Sequence, residues 1–173
     1  TIMALLISPM VVPVVIAAVG MYFFYTRLGL ANNLLGLILA HGALGTPFVV
    51  ITVSATLVGF NENLTRAARS LGANPFLAFR RVKMPIIAPG VISGAIFAFA
   101  TSFDEVVVVL FLGGVEQRTI PRQMWSGVRE QLSPTILAMA TLLTVVSVLL
   151  LISLELLRRR NQRMRGTLDR GTG

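Results

Sequence analysis

Between two long apolar runs the chain reads NENLTRAARSLGANPFLAFRRVKMP, Asn61 to Pro85, and the organisation of everything else follows from this polar interruption. Asn61 or Asn63 is placed to cap a short helix through Leu71, and Gly72 suits a left-handed stop. Asn74 is placed to cap a second helix that starts at Pro75, where the missing N–H costs nothing. Phe76, Phe79 and Val82 recur at three-residue spacing along it. Two short amphipathic helices back to back make a compact knob of the kind that docks in a partner's groove.

Outward from this knob the chain is apolar. It has 173 residues, 55% hydrophobic and 13% charged, where a soluble domain carries about a quarter charged residues. Several runs exceed the ~20 residues that a helix needs to cross hydrocarbon. The reading is an all-α membrane protein with four spans, at about residues 3–24, 34–60, 85–112 and 134–157. A loop at 61–84 and a basic tail at 158–173 complete a single membrane domain.

The first span holds Pro9 and Pro13 and closes on the aromatic belt Tyr22-Phe23-Phe24-Tyr25. The second has His41-Gly42-Ala43-Leu44-Gly45-Thr46-Pro47 at its centre and is expected to kink or unwind there, which requires cover by protein or a water-filled cavity. On the third, Gly90, Gly94 and Ala98 repeat every four residues and permit close helix packing in lipid. Ser133 and Pro134 read as cap and first residue of the fourth span. The segment from Arg122 to Gln131, with Trp125, reads as a surface helix anchored at the membrane interface.

Fifteen basic residues against seven acidic ones could point to nucleic acid. They lie between and after the apolar runs, with no long basic face interleaved with aromatics, so they read as topology signals and contacts with membrane lipid. Five (Arg66, Arg69, Arg80, Arg81, Lys83) fall in the 61–84 segment and six (Arg158, Arg159, Arg160, Arg163, Arg165, Arg170) in the tail. Four (Arg27, Arg118, Arg122, Arg129) fall on the other side. The excess of positive charge on the inner side predicts a cytoplasmic 61–84 loop and a cytoplasmic C-terminus. The chain starts at Thr1 within an apolar run, without a basic signal-peptide region, and further natural sequence is expected upstream.

The run Arg66-Ala67-Ala68-Arg69-Ser70-Leu71-Gly72, then nine residues, then Val82-Lys83-Met84-Pro85, resembles the signature loop of ABC importer permeases: Glu-Ala-Ala, three residues, Gly, nine residues, Ile-x-Leu-Pro. Ala67, Ala68, Gly72 and Pro85 match, Val82 and Met84 are conservative, and Arg66 replaces the family's Glu. Ser102 to Gly114 (SFDEVVVVLFLGG), Ser8-Pro9, Ile120-Pro121 to Met124-Trp125, and Leu132-Ser133-Pro134 resemble the spermidine/putrescine branch. The resemblance implies a type I importer bundle of about six spans, of which this chain supplies the last four. It implies coupling to an ATPase through Arg66, Ala67, Ala68, Gly72 and Pro85. Its implied partners are an ATPase dimer, a second permease subunit and a periplasmic substrate-binding protein in the bacterial inner membrane, with no cofactor.

Asp104 and Glu105 are the acids deep in an apolar run. A charge there costs at least ~2.5 kcal/mol, so it faces a cavity or a partner. Read as neighbours on one helix they diverge by about 100°, so at most one of them faces a path for a cation; the alternative is a buried structural hydrogen bond or a salt bridge with a partner subunit. Ser8 and Thr46 are the further residues assigned to that path. His41, without an acid in its own span, reads as structural. There is no cysteine, no metal-ligand spacing, no catalytic triad and no Gly-rich phosphate loop with a Lys, so neither an enzyme nor an ATPase is expected. The alternatives to a polyamine permease are a permease for another small solute, a scaffold subunit and an intramembrane enzyme, the last disfavoured by the single His.

Overall fold

The computed structural model describes residues 2–130 and 134–169. Among them every regular element is a helix: α1 (Ile2–Val11), α2 (Val14–Arg27), α3 (Leu34–Val58), α4 (Glu62–Ser70), α5 (Pro75–Ala78), α6 (Met84–Phe103), α7 (Val107–Leu112), α8 (Ile120–Glu130) and α9 (Pro134–Asp169), with a π-helical turn at Phe79–Lys83. Three helical stretches are long and apolar enough to cross a membrane: Leu34–Val58, Pro75–Phe103 and Pro134–Ser153. The bent pair α1–α2 makes a fourth if it is one span.

The expected first span is broken. α1 and α2 meet at 113°, because Pro13 has no N–H to continue the ladder and its ring crowds the preceding turn. Pro47 has the opposite outcome. α3 passes through it as one continuous helix, so the unwinding expected at 41–47 does not occur. Pro47 is fully buried, and packing on neighbouring helices compensates the one backbone bond that it removes.

The expected third span also differs at both ends. Its helix starts at Pro75, so the second helix of the knob and the span are one continuous element of 29 residues. The π turn is the adjustment: the Met84 N–H bonds to the Phe79 carbonyl, one residue further back than in an α-helix. Pro85 therefore lies in the first turn of α6 and does not begin the helix. At the far end α6 stops at Phe103, and α7 begins only at Val107.

α3 and α6 form the main antiparallel seam, and small residues set its depth. A Cβ placed on Gly90 would stand 2.9 Å from the Thr52 carbonyl oxygen and collide with the Thr56 hydroxyl. One on Gly94 would meet the Val49 Cα at 2.8 Å, and one on Gly45 the Ala98 Cβ at 2.9 Å. Close approach of this kind replaces the hydrophobic drive that lipid cannot supply. The other buried cluster, Ala18, Tyr25, Leu37, Ala40, Leu44, Val108, Val109 and Leu112, joins α2, α3 and α7. α9 lies against α6 and α8 and buries none of its apolar span. It runs on as helix to Asp169, through most of the expected tail. The Ser133 cap lies outside the described residues.

Candidate functional site

The α4–α5 corner is built from short-range hydrogen bonds. The Asn61 side chain accepts from the Asn63 N–H at 3.0 Å, and Asn74 from the Leu77 N–H at 2.8 Å. Between them Gly72 takes φ +87, its N–H bonds to the Arg69 carbonyl, and the Ala73 N–H reaches back to Ala68. These bonds close the end of α4 and turn the chain. A Cβ on Gly72 would touch nothing within 4 Å, so what the position requires is its backbone angle.

Arg66 and Ala67 are exposed on α4, Ala68 is half-buried and Pro85 is exposed at the start of α6. On the second helix the buried residue is Ala78, while Phe76 is 71% exposed and Phe79 46%. Leu71 adds a third apolar side chain, at 89% exposure. Phe76 and Phe79 of the apolar stripe thus face outward with Leu71, large apolar anchors among arginines, while Val82 is half-buried. At its base Lys83 Nζ donates to Glu62 Oε1 at 2.8 Å and lies 4.9 Å from the Phe60 ring centroid. That pair ties α4 to the start of α6, and the lysine beside it holds the Glu62 carboxyl below the usual carboxylate range.

At the other end of the α3–α6 seam lies a cavity of 780 Å³, closed on a third side by Thr119, Ile120 and Pro121. Thr46 lines it, with its hydroxyl donating to the Gly42 carbonyl. His41 and Ser102 line it together, Nδ1 and Oγ 2.7 Å apart. His41 Nε2 is buried and has no hydrogen-bond partner.

Asp104 and Glu105 do not share a helix, contrary to the expectation that set them about 100° apart. They sit in the break between α6 and α7. Asp104 is exposed. Glu105 is half-buried, and its Oε1 accepts from the Val108 N–H at 2.9 Å, satisfying a free donor of α7. A carboxylate before the apolar run Val106–Leu112 is a capping signal, and it marks the break in the sequence itself. Ser8 stands apart on α1, its hydroxyl donating to the Leu5 carbonyl.

A helical membrane bundle with an exposed two-helix corner on one side and a largely apolar cavity toward the other has the build of a transport permease. The family model described as "Binding-protein-dependent transport system inner membrane component" matches residues 1–163, and the chain belongs to that family. The spermidine/putrescine transport system permease protein PotC of Haemophilus influenzae is 32% identical over 152 residues, 88% of this chain and 59% of that protein. The putrescine transport system permease protein PotI of Escherichia coli is 32% identical over 142 residues, 79% of this chain and 50% of that protein. The chain thus spans 50–59% of the length of these curated relatives. A chain of the MetNI methionine ABC transporter, solved in inward-facing conformations, superposes with a TM-score of 0.62 at 22% identity, covering 94% of this chain and 70% of that one. It shares the fold.

Proposed function

We propose that this chain is the membrane-spanning part of an ATP-driven importer for a small organic cation, spermidine or putrescine, without enzymatic activity of its own. The observation that carries the reading is the Asn61–Pro85 corner, whose motif spacing, caps and exposed Phe76 and Phe79 fit a docking element. An ATPase dimer is the proposed partner there, with Arg66, Ala67, Ala68, Gly72 and Pro85 at the contact. ATP binding would move α5, and α6 with it, since the two are one continuous helix. The spans would then exchange between inward-open and outward-open states of different substrate affinity. A second permease subunit and a periplasmic binding protein complete the proposed assembly.

The 61–84 corner and the C-terminus are assigned to the cytoplasm, on the excess of Lys and Arg. The cavity end then faces the periplasm, where a binding protein would release its cargo. Asp104, Glu105, Thr46 and Ser8 remain the proposed polar residues of the pathway. The test is reconstitution in vesicles with the ATPase, the second permease and the binding protein. Spermidine or putrescine should raise ATP hydrolysis and accumulate inside. Hydrolysis and uptake that ignore both polyamines would overturn the substrate assignment.

A further inference from the structure

The α4–α5 corner carries more charge than its own packing uses. Between Asn61 and Pro85 the acid is Glu62, against Arg66, Arg69, Arg80, Arg81 and Lys83. Lys83 takes that acid at 2.8 Å. The four arginines are all exposed, and among the described residues none of them has a carboxylate within ion-pair distance. Arg66 and Arg69 are three residues apart on α4 and so share a face of it. A topology signal needs charge alone. Here the charge is interleaved with exposed apolar side chains: Leu71 follows Arg69 by two positions, and Phe79 directly precedes Arg80. Clustered apolar side chains of this size, left in water, mark a surface that a partner covers.

Helix length separates a protein partner from a lipid one. Met84–Phe103 has 20 residues, about 30 Å at 1.5 Å per residue, which by itself covers a hydrocarbon core of about 30 Å. The same helix continues outward to Pro75, so Phe76 stands about 12 Å beyond Met84. The headgroup layer adds only about 5–7 Å on each side. Phe76, 71% exposed, therefore lies past the lipid, and α4 packs against this projecting part of the helix and not against the span.

We propose that the corner docks in an apolar groove of the ATPase that is rimmed with carboxylates, and that Arg66 and Arg69 pair with those carboxylates and select the ATPase. The inference rests on the importer reading for the identity of the partner and adds the chemistry of the partner's surface. Phe76 and Phe79 enter the groove, and aromatic and arginine side chains are the ones that carry most of the binding energy at interfaces. The arginines steer the encounter and reject a groove of their own sign. Arg66 stands where the signature loop has Glu, so a groove suited to that Glu repels this corner.

The test uses the assembled importer in lipid nanodiscs, stripped of its ATPase, and measures the dissociation constant of the purified ATPase at low and high KCl. The arginines are exposed and unpaired, so their variants should assemble as wild type does, checked by yield and monodispersity. Wild-type binding should weaken as salt rises. Arg66→Glu with Arg69→Glu should weaken it roughly tenfold or more at low salt, the worth of a close charge pair across an interface, and should remove most of the salt dependence. Arg66→Gln should fall between. Phe76→Ala should weaken binding and leave the salt dependence in place. Binding that strengthens in Arg66→Glu, or that ignores both the reversals and the salt, would overturn the proposal and leave the importer reading standing. Nanodiscs with and without anionic phospholipid supply the other arm: reversals that change retention of anionic lipid but not ATPase affinity assign the arginines to the membrane and also overturn it. An ATPase that never binds the wild-type importer sinks the importer reading, and the proposal with it.

Discussion

The two ends of the α3–α6 pair are made in different ways. At the α4–α5 end the caps and the turn join residues within a few positions, Asn61 to Asn63, Asn74 to Leu77 and Gly72 to Arg69, with the Lys83–Glu62 pair as the longer tie. At the cavity end the two helices are joined by a pair far apart in sequence, His41 and Ser102. The first end holds its shape by local chemistry and leaves apolar side chains outside. The second depends on the register of two long helices. A mechanism that moves the first and opens the second needs a stiff connection, and the unbroken helix from Pro75 to Phe103 supplies it.

The largest expected effect comes from breaking that register. Gly94→Leu forces a Cβ against the Val49 backbone at 2.8 Å, where neither helix can yield cheaply. Overpacking of this kind costs about 3 kcal/mol. Folded protein in the membrane should fall sharply, and spermidine binding and ATPase recruitment should fail together. Near-normal abundance of Gly94→Leu would mean that the seam is looser than drawn.

Gly72→Val attacks the other end alone. No atom obstructs the new side chain, but φ +87 strains a β-branched residue by about 1–2 kcal/mol. The corner should deform while the bundle persists. Abundance and spermidine binding should stay close to wild type, while ATP hydrolysis becomes independent of substrate. Normal coupling in Gly72→Val would argue that ATPase docking lies elsewhere.

This division also governs what could be read without coordinates. The Asn61 and Asn74 caps, the left-handed glycine and the Gly90-Gly94-Ala98 stripe are local or periodic signals, and each appears in the fold as expected. The fate of the prolines is not local. Pro13 breaks its span and Pro47 does not, and Pro47 is fully buried in the bundle. The break at 104–106 falls at two acids before a valine run, but the apolar residues on both sides of them read as one span across 85–112. The cavity was the least legible feature, because a single sequence carries no trace of a pairing between positions 41 and 102.

Asp104 and Glu105 test whether the cavity end is a site or only scaffolding. Glu105→Ala removes an acceptor from the Val108 N–H and should cost about 1 kcal/mol, as lost helix caps do. Glu105→Gln keeps an acceptor oxygen and should recover most of that stability but not the charge. Asp104 is exposed, so Asp104→Asn should leave stability within about 0.5 kcal/mol of wild type. Transport of polyamine by Asp104→Asn should nonetheless fall further than its abundance does. If Asp104→Asn and Glu105→Gln, singly and together, take up polyamine at the wild-type rate, the acids serve the fold and not the cargo.

The smallest effect belongs to the ion pair at the base of the corner. Lys83 and Glu62 are 2.8 Å apart, with side chains 25% and 59% exposed, and pairs this open to solvent contribute little. The sign of the pH effect is still fixed. Lys83 holds the Glu62 carboxyl below its usual value, so the folded state binds its proton less readily than the unfolded chain does. The stabilisation is complete above the unfolded value of about 4.3 and is lost as pH falls through the lower folded one. Wild type should therefore melt slightly above Glu62→Gln at pH 7, and the two melting curves should converge as the medium is acidified below about pH 4. High salt should narrow the same gap, because an exposed pair is screened. A gap that stays constant from neutral to acid pH would mean that Glu62 acts at the start of α4 by its shape or its hydrogen bonds alone, and that the corner is held to α6 by backbone continuity without help from charge.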